Sequence, residues 1–339
     1  MAPIPPHRPR VITYYQTHHD PSGKFISVLP LVNGSPTGGP TGITHVILAA
    51  IHINEDPAAI TLNDHPPSHP RFDTLWAELR VLQATSVTVM GMLGGAAAGT
   101  YARLGADDAT FEIYYAPLRD LIRQRGLDGL DLDVEEKMSL SAAVRLVDRL
   151  RRDFGPGFVI SFAPVAAALL DPRANLSGFD YEALEVMRGA EISFYNAQFY
   201  CGWGSAEDAV MYQYIMAKGW PPEKVVVGLV TNPENGSGFV DWERLGAVVA
   251  GIAAGNPRFG GVMGWEYFNS LPGGRERPWE WAAMMGAILG GGASGVEPEG
   301  QGKATGLPGH LVIEDEGEDE EDSAPVPAPF TYFSDSDSE

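Results

Sequence analysis

The chain has 339 residues, 44% hydrophobic and 20% charged, enough for one large single-core domain or two ordinary ones. Its net charge of −21 argues against a nucleic-acid partner or an anionic membrane surface, because phosphate binding needs clustered Lys and Arg. A single cysteine, Cys201, excludes an intrachain disulfide and fits a reducing compartment.

The opening residues, Met1 to Arg10, contain no apolar run of the kind a secretory signal needs. Nor does any stretch approach the roughly 18 consecutive apolar residues of a membrane span. The expected location is therefore the cytoplasm, with a secreted chain whose signal has been removed as the alternative. Asn175-Leu-Ser177 and Asn235-Gly-Ser237 fit the N-glycosylation pattern, which is short enough to arise by chance.

Short β-branched or apolar runs alternate with helix-like stretches along the chain. The first run is Val11–Gln16 and the second Ile43–Ile51, followed by a Pro-rich, largely polar loop over Glu55–Pro70. The helical pattern Phe72–Gln83 leads to the third run, Val87–Gly94, and Phe111–Arg125 leads to the fourth, Leu130–Glu135. After Ala142–Phe154 come the fifth and sixth runs, Phe158–Pro164 and Ile192–Tyr200. Ala206–Lys218 precedes the seventh, Val225–Val230, and Trp242–Gly251 precedes the eighth, Gly261–Tyr267, with Trp279–Leu289 as the last helix. This alternation predicts a parallel sheet, and eight units within residues 1–290 predict an α/β fold of the (β/α)8 TIM-barrel type. A doubly wound open sheet is the alternative, but no Gly-x-Gly-x-x-Gly turn follows the first strand.

Residues 291–339 differ in composition. They hold thirteen Asp or Glu and one base, Lys303, so −12 of the total charge falls on them. Such a segment cannot bury enough apolar area to offset its ordering entropy and is expected to stay disordered. It reads either as a solubilising acidic tail or as a docking or phosphorylation segment, with Phe330-Thr-Tyr-Phe333 as an apolar hook beside serines.

The fourth run carries the chemistry. In Asp131-Leu-Asp-Val-Glu135 the acids alternate with apolar residues, so Asp131, Asp133 and Glu135 share one face of a strand. Three acids on one side of a buried strand are unfavourable unless they pair or react. In a barrel that side is the lumen, and Glu135 stands nearest the C-terminal end, where barrel active sites lie. Residues at i and i+2 have Cα atoms about 7 Å apart, within reach of hydrogen bonding between carboxyl groups. Two acids that close resist joint ionisation, so one becomes a proton donor near neutral pH. The alternatives are a solvated strand edge, which the intervening Leu, Leu and Val disfavour, and a hard-cation site. A linear triplet on one strand, with Glu136 turned away, is a poor cage, and no metal is expected.

The run Asp128-Gly-Leu-Asp131-Leu-Asp133-Val-Glu135 resembles the Asp-x-x-Asp-x-Asp-x-Glu signature of glycoside hydrolase family 18. The wider chain is similar to the fungal endo-β-N-acetylglucosaminidases of that family. The likeness runs over about residues 10–290 and rests on Tyr14–Asp20, Val89–Gly99, Phe194–Tyr200 and Gly260–Gly274. The resemblance implies substrate-assisted, retaining catalysis, an exception to the two-carboxylate scheme. Glu135 would protonate the leaving oxygen and later activate water. Asp133 would orient the 2-acetamido group that closes an oxazolinium ring, and Asp131 would hydrogen-bond Asp133 from behind. Tyr200 would donate to the acetamido carbonyl, and Trp265 would form an aromatic floor under the sugar. Asn196 and Gln198 share the face of Tyr200, and Gln198 stands where most chitinases of the family carry Met. Tyr14 on the first strand and Trp203 after the sixth are further candidates to contact substrate.

Two departures from the family pattern matter. Met92-Leu-Gly-Gly95 replaces the Ser-x-Gly-Gly of family chitinases, so that serine hydroxyl is missing. Only 31 residues separate Val230 from Val262, too few for the α+β insertion domain that deepens many chitinase clefts. The resemblance therefore implies an endo-β-N-acetylglucosaminidase that cuts the GlcNAc-β1,4-GlcNAc core of N-glycoproteins or free N-glycans, as a monomer and without a cofactor. A chitinase and a catalytically silent sugar-binding barrel are the competing readings. His18-His19-Asp20 lacks a partner cluster for a metal, and Cys201 lacks the electropositive setting of a catalytic thiol.

Overall fold

A computed structural model describes residues 8–290; the acidic segment 291–339 and its Phe330–Phe333 hook lie outside the described residues. The strands are β1 (Arg10–Tyr15), β2 (His45–His52), β3 (Thr61–Leu62), β4 (Thr88–Gly94), β5 (Gly129–Asp133), β6 (Val159–Phe162), β7 (Phe194–Gln198), β8 (Val225–Val230) and β9 (Gly261–Trp265). All but β3 run parallel in the order β1-β9-β8-β7-β6-β5-β4-β2, and β1 also pairs with β2. That last pairing closes the sheet into the eight-stranded barrel. β3 is an antiparallel flap on β2, with Ile51 opposite Leu62. It was not expected within the polar loop. Ile60 and Leu62 are buried there, and they fold the loop back onto the barrel.

Strand alternation sorts the core into two layers. Inward residues Ile12, Ile47, Met90, Met92, Phe194, Val226 and Met263 fill the lumen. Outward residues such as Val11, Val46, Val89, Leu130, Leu132, Tyr195 and Val227 pack under the helices. The helix Leu140–Phe154 shows how the outer layer forms. Ser139 Oγ accepts the Ala142 N–H at 3.2 Å at its start, and Ala143, Leu146, Val147 and Leu150 make one buried stripe. The helix Tyr181–Arg188 was not expected from sequence. It buries only Tyr181 and Leu184 and leaves Val186 87% exposed, so its apolar period is broken. Between β8 and β9 lie one short 3₁₀ turn and the helix Trp242–Gly255, with no inserted domain.

The carboxylate strand ends two residues earlier than its alternation suggests. Its last ladder pair is Gly94 with Asp133, and the Gly95 N–H then donates to the Asp133 carbonyl at 2.9 Å. Gly94 and Gly95 take φ of +89° and +92°, a turn that side chains disfavour, so β4 leaves the sheet here. Glu135 therefore stands just beyond the ladder, at the rim.

Candidate active site

The three acids converge in the lumen but sit in different surroundings. Asp131 is completely buried and Asp133 is 5% exposed. Asp131 Oδ2 accepts the Tyr14 hydroxyl at 2.6 Å; its Oδ1 accepts Ser161 Oγ at 2.5 Å and Asn196 Nδ2 at 3.1 Å. Burial raises its pKa while those three donors oppose the rise, so its anion is the best supported of the three. Burial is also the largest cause raising Asp133, followed by the charges of Glu135 and Asp131. The expected hydrogen bond from Asp131 to Asp133 gives way to this arrangement: Asp131 is engaged by other strands and bears on Asp133 through its charge. Glu135 is raised by burial, opposed by a hydrogen bond from Gln198.

Gln198 lies across this group. Its Nε2 donates to Asp133 Oδ1 at 3.3 Å, to Glu135 Oε1 at 3.2 Å and to the Ala163 carbonyl at 3.1 Å. One amide from β7 thus reaches both carboxylates past β6. Asn196, two residues earlier, is fully buried and donates to Asp131 and to the Tyr14 oxygen at 3.1 Å each. Asn196 and Asp131 are both fully buried, so they hold the site from within rather than offer a surface to a sugar.

Tyr14 points inward. Tyr15 points out and donates to the Ile26 carbonyl at 2.5 Å. Burial holds the Tyr14 hydroxyl well above its ordinary range, so it remains a donor to Asp131. Trp265 stands half-buried at the lumen mouth, edge-on to Tyr14 with ring centroids 5.5 Å apart, and Tyr200 belongs to the same lumen cluster. Trp203 is not brought into this set. Its ring packs against the layer between strands and helices.

Three supporting roles emerge only from the structure. Ser161 supplies from β6 a hydroxyl to the carboxylate strand, although Met92 replaces the serine of β4; the signal was a lone polar residue inside the apolar run Val159–Phe162. Asp128, first acid of the signature, accepts the Val89 N–H at 2.8 Å and Gln83 Nε2 at 2.9 Å, tying the base of β5 to β4. Glu136 accepts the N–H groups of Gly99 and Tyr101, the latter at 2.6 Å, and so anchors the loop after β4.

Elsewhere, His18 is buried against the Tyr15 carbonyl at 3.1 Å, and burial lowers its pKa to about 3. Burial raises the Cys201 thiol. Among the described residues no three His, Cys, Asp or Glu are grouped to hold a metal, and no helix is long and apolar enough to cross a membrane.

A carboxyl group whose burial favours its protonated form, at the lumen rim with an indole and a fixed anion in the same lumen, suits the cleavage of a sugar acetal. Fold and site together define a glycoside hydrolase. The model of glycosyl hydrolases family 18 matches residues 10–237, and the chain belongs to this family. A fungal endo-β-N-acetylglucosaminidase of the family is 47% identical, with a TM-score of 0.79 over 84% of this chain and 99% of its own. The chitinase ChiC from Aspergillus fumigatus is 57% identical, with a TM-score of 0.75 over 82% of this chain and 98% of its own. A family 18 chitinase from Pseudoalteromonas aurantia, at 22% identity and a TM-score of 0.63 over 81% of this chain and 99% of its own, shares the fold. A comparison with curated proteins returned no match.

Proposed function

We propose that this glycosidase is an endo-β-N-acetylglucosaminidase that hydrolyses the GlcNAc-β1,4-GlcNAc core of N-glycans. The observation that carries the reading is Gln198, whose amide reaches both Asp133 and Glu135 at the position where family chitinases commonly have Met. The short β8–β9 connection supports it, since a mouth without an insertion domain suits a branched glycan better than a buried polymer chain.

In this reading Glu135, whose protonated form burial favours, gives its proton to the glycosidic oxygen as that bond breaks. The 2-acetamido oxygen of the substrate forms the new bond to the anomeric carbon. Asp133 accepts the acetamido N–H and faces the positive charge of the oxazolinium ring. Water then attacks the anomeric carbon, breaking its bond to the acetamido oxygen, and gives its proton to Glu135, which restores the enzyme and retains configuration. The intramolecular nucleophile removes an entropic cost, and no second carboxylate nucleophile is needed.

The second reading is a chitinase with the same mechanism, favoured by the 57% identity to the Aspergillus fumigatus chitinase. Parallel assays on a high-mannose glycoprotein and on a chitin oligomer decide between them. Release of the glycan with one GlcNAc left on asparagine supports the proposal; turnover of the chitin oligomer alone overturns it.

A further inference from the structure

The end of β9 carries a buried carboxylate that the chemistry above does not use. Glu266 follows Trp265 and is 6% exposed. Its Oε2 accepts the N–H groups of Gln16 at 3.1 Å and Thr17 at 2.8 Å, and its Oε1 accepts the Thr17 hydroxyl at 2.7 Å. Gln16 and Thr17 directly follow the end of β1, where backbone N–H groups leave the ladder and must be satisfied otherwise. All three donors point at the carboxylate, so an amide at 266 would set its own NH2 against one of them.

The surrounding backbone is held as well. The Trp265 carbonyl accepts the Thr231 N–H at 2.8 Å, and the Glu266 carbonyl accepts Thr231 Oγ1 at 2.7 Å and Ser270 Oγ at 2.8 Å. Tyr267 N–H donates to the Tyr14 carbonyl at 2.9 Å. On the far side, Asn63 Nδ2 donates to the Gln16 carbonyl at 2.9 Å while its Oδ1 accepts the Ala50 N–H at 2.9 Å. Hydrogen bonds thus run across the rim from β8 through β9 and β1 to β2, and Glu266 adds a side-chain link from the end of β9 to the chain just beyond β1, beside the Tyr267–Tyr14 bond. Inside that link lie Trp265 and Tyr14, edge to face.

We propose that Glu266 is a positioning residue: by clamping the Gln16 and Thr17 N–H groups it fixes Trp265 against Tyr14 and so sets how tightly the site holds a sugar. The inference rests on the reading of Trp265 as the sugar floor. Because Glu266 acts through a binding surface, its loss appears in KM more than in kcat.

The test measures KM and kcat on whichever of the glycoprotein and the chitin oligomer the wild type cleaves, for Glu266→Gln, Thr17→Val, Trp265→Ala and the double variant Glu266→Gln/Trp265→Ala. The expected result is a KM raised about tenfold by Glu266→Gln and about threefold by Thr17→Val, with kcat within about twofold. In the Trp265→Ala background, Glu266→Gln adds less than about twofold, because coupled residues are not additive. An equal KM factor in both backgrounds overturns the inference and leaves the floor reading intact, as does a lowered Tm with KM unchanged. An unchanged KM in Trp265→Ala overturns both. Thr17→Val, which replaces one hydroxyl by a methyl group, keeps the test open if Glu266→Gln fails to fold.

Discussion

Gln198 on β7 donates to Glu135, just beyond β5, with its Nε2 3.2 Å from Oε1, although β6 lies between β5 and β7. That bond favours the carboxylate form of Glu135 and opposes the rise that burial causes. Gln198→Met removes it. The Glu135 pKa then rises further, and the alkaline limb of the kcat profile, where the acid loses its proton, moves to higher pH. A hydrogen bond to a charged group is worth roughly 1.5 kcal/mol, so the shift is about one pH unit. Loss of the fixed amide lowers kcat/KM on the preferred substrate about tenfold. A pH–rate profile checks both, and an unmoved alkaline limb would refute the role given to Gln198.

Ser161→Ala acts on the opposite limb. Asp131 is the acid best equipped to ionise first, because Tyr14, Ser161 and Asn196 all donate to it. Removing one donor makes that first ionisation harder against the neighbouring Asp133 and Glu135. The acid limb moves to higher pH by about one unit, on the same scale as above. Ser161→Thr keeps the hydroxyl and leaves the limb in place. A uniform loss of rate at every pH would instead mark Ser161 as mere packing.

Asp133 and Glu135 should cost the protein stability. Burial holds Asp133 and Glu135 above their ordinary range. In the unfolded chain they ionise near pH 4 (about 3.9 and 4.3). Between there and the raised folded values, the folded state binds more protons, so stability falls as pH rises through that window. Asp133→Asn and Glu135→Gln abolish the titration. Each should raise Tm at pH 7 by about 3 °C or more, the scale of 1 kcal/mol in a domain of this size. The advantage should fade as pH approaches 4. Calorimetry across that range measures it, and a Tm advantage independent of pH would contradict the burial argument.

The barrel was legible in the sequence because buried parallel strands and amphipathic helices leave different periods, and the eight expected runs overlap all eight barrel strands. The inward face of the acids was legible for the same reason, from alternation alone. What escaped were contacts between strands distant in sequence. Nothing local says that Ser161 bonds Asp131 rather than a neighbouring backbone group, or that Asp128 ties β5 to Gln83. Trp203 could not be placed from its loop position alone, which suggests a sugar platform; the structure packs it, half-buried, against the layer between strands and helices. Glu266 passed unremarked, since its donors lie at the other end of the chain, on Gln16 and Thr17.

The turn after β4 offers the sharpest steric test. Gly94 takes φ of +89°, and a Cβ there would overlap the Tyr101 ring and lie 2.7 Å from the Asp133 carbonyl oxygen. Neither neighbour can yield easily. Tyr101 donates its hydroxyl to the Leu93 carbonyl at 2.6 Å, and its N–H is held by Glu136 at 2.6 Å. The Asp133 carbonyl accepts the Gly95 N–H at 2.9 Å. Gly94→Ala therefore combines backbone strain with a clash against the carboxylate strand, and should cost about 3 kcal/mol of stability. Because the displaced atom belongs to Asp133, kcat should fall at least about tenfold even well below Tm. Gly155 is the control. Its φ is +77°, but nothing lies within 4 Å of an added Cβ, and it caps the far end of Leu140–Phe154. Gly155, at φ +77° and ψ −178°, should cost only backbone strain on going to Ala, about 1–3 kcal/mol, and leave kcat unchanged. Full activity in Gly94→Ala, or an equal loss of kcat in Gly155→Ala, would show that the turn does not position Asp133.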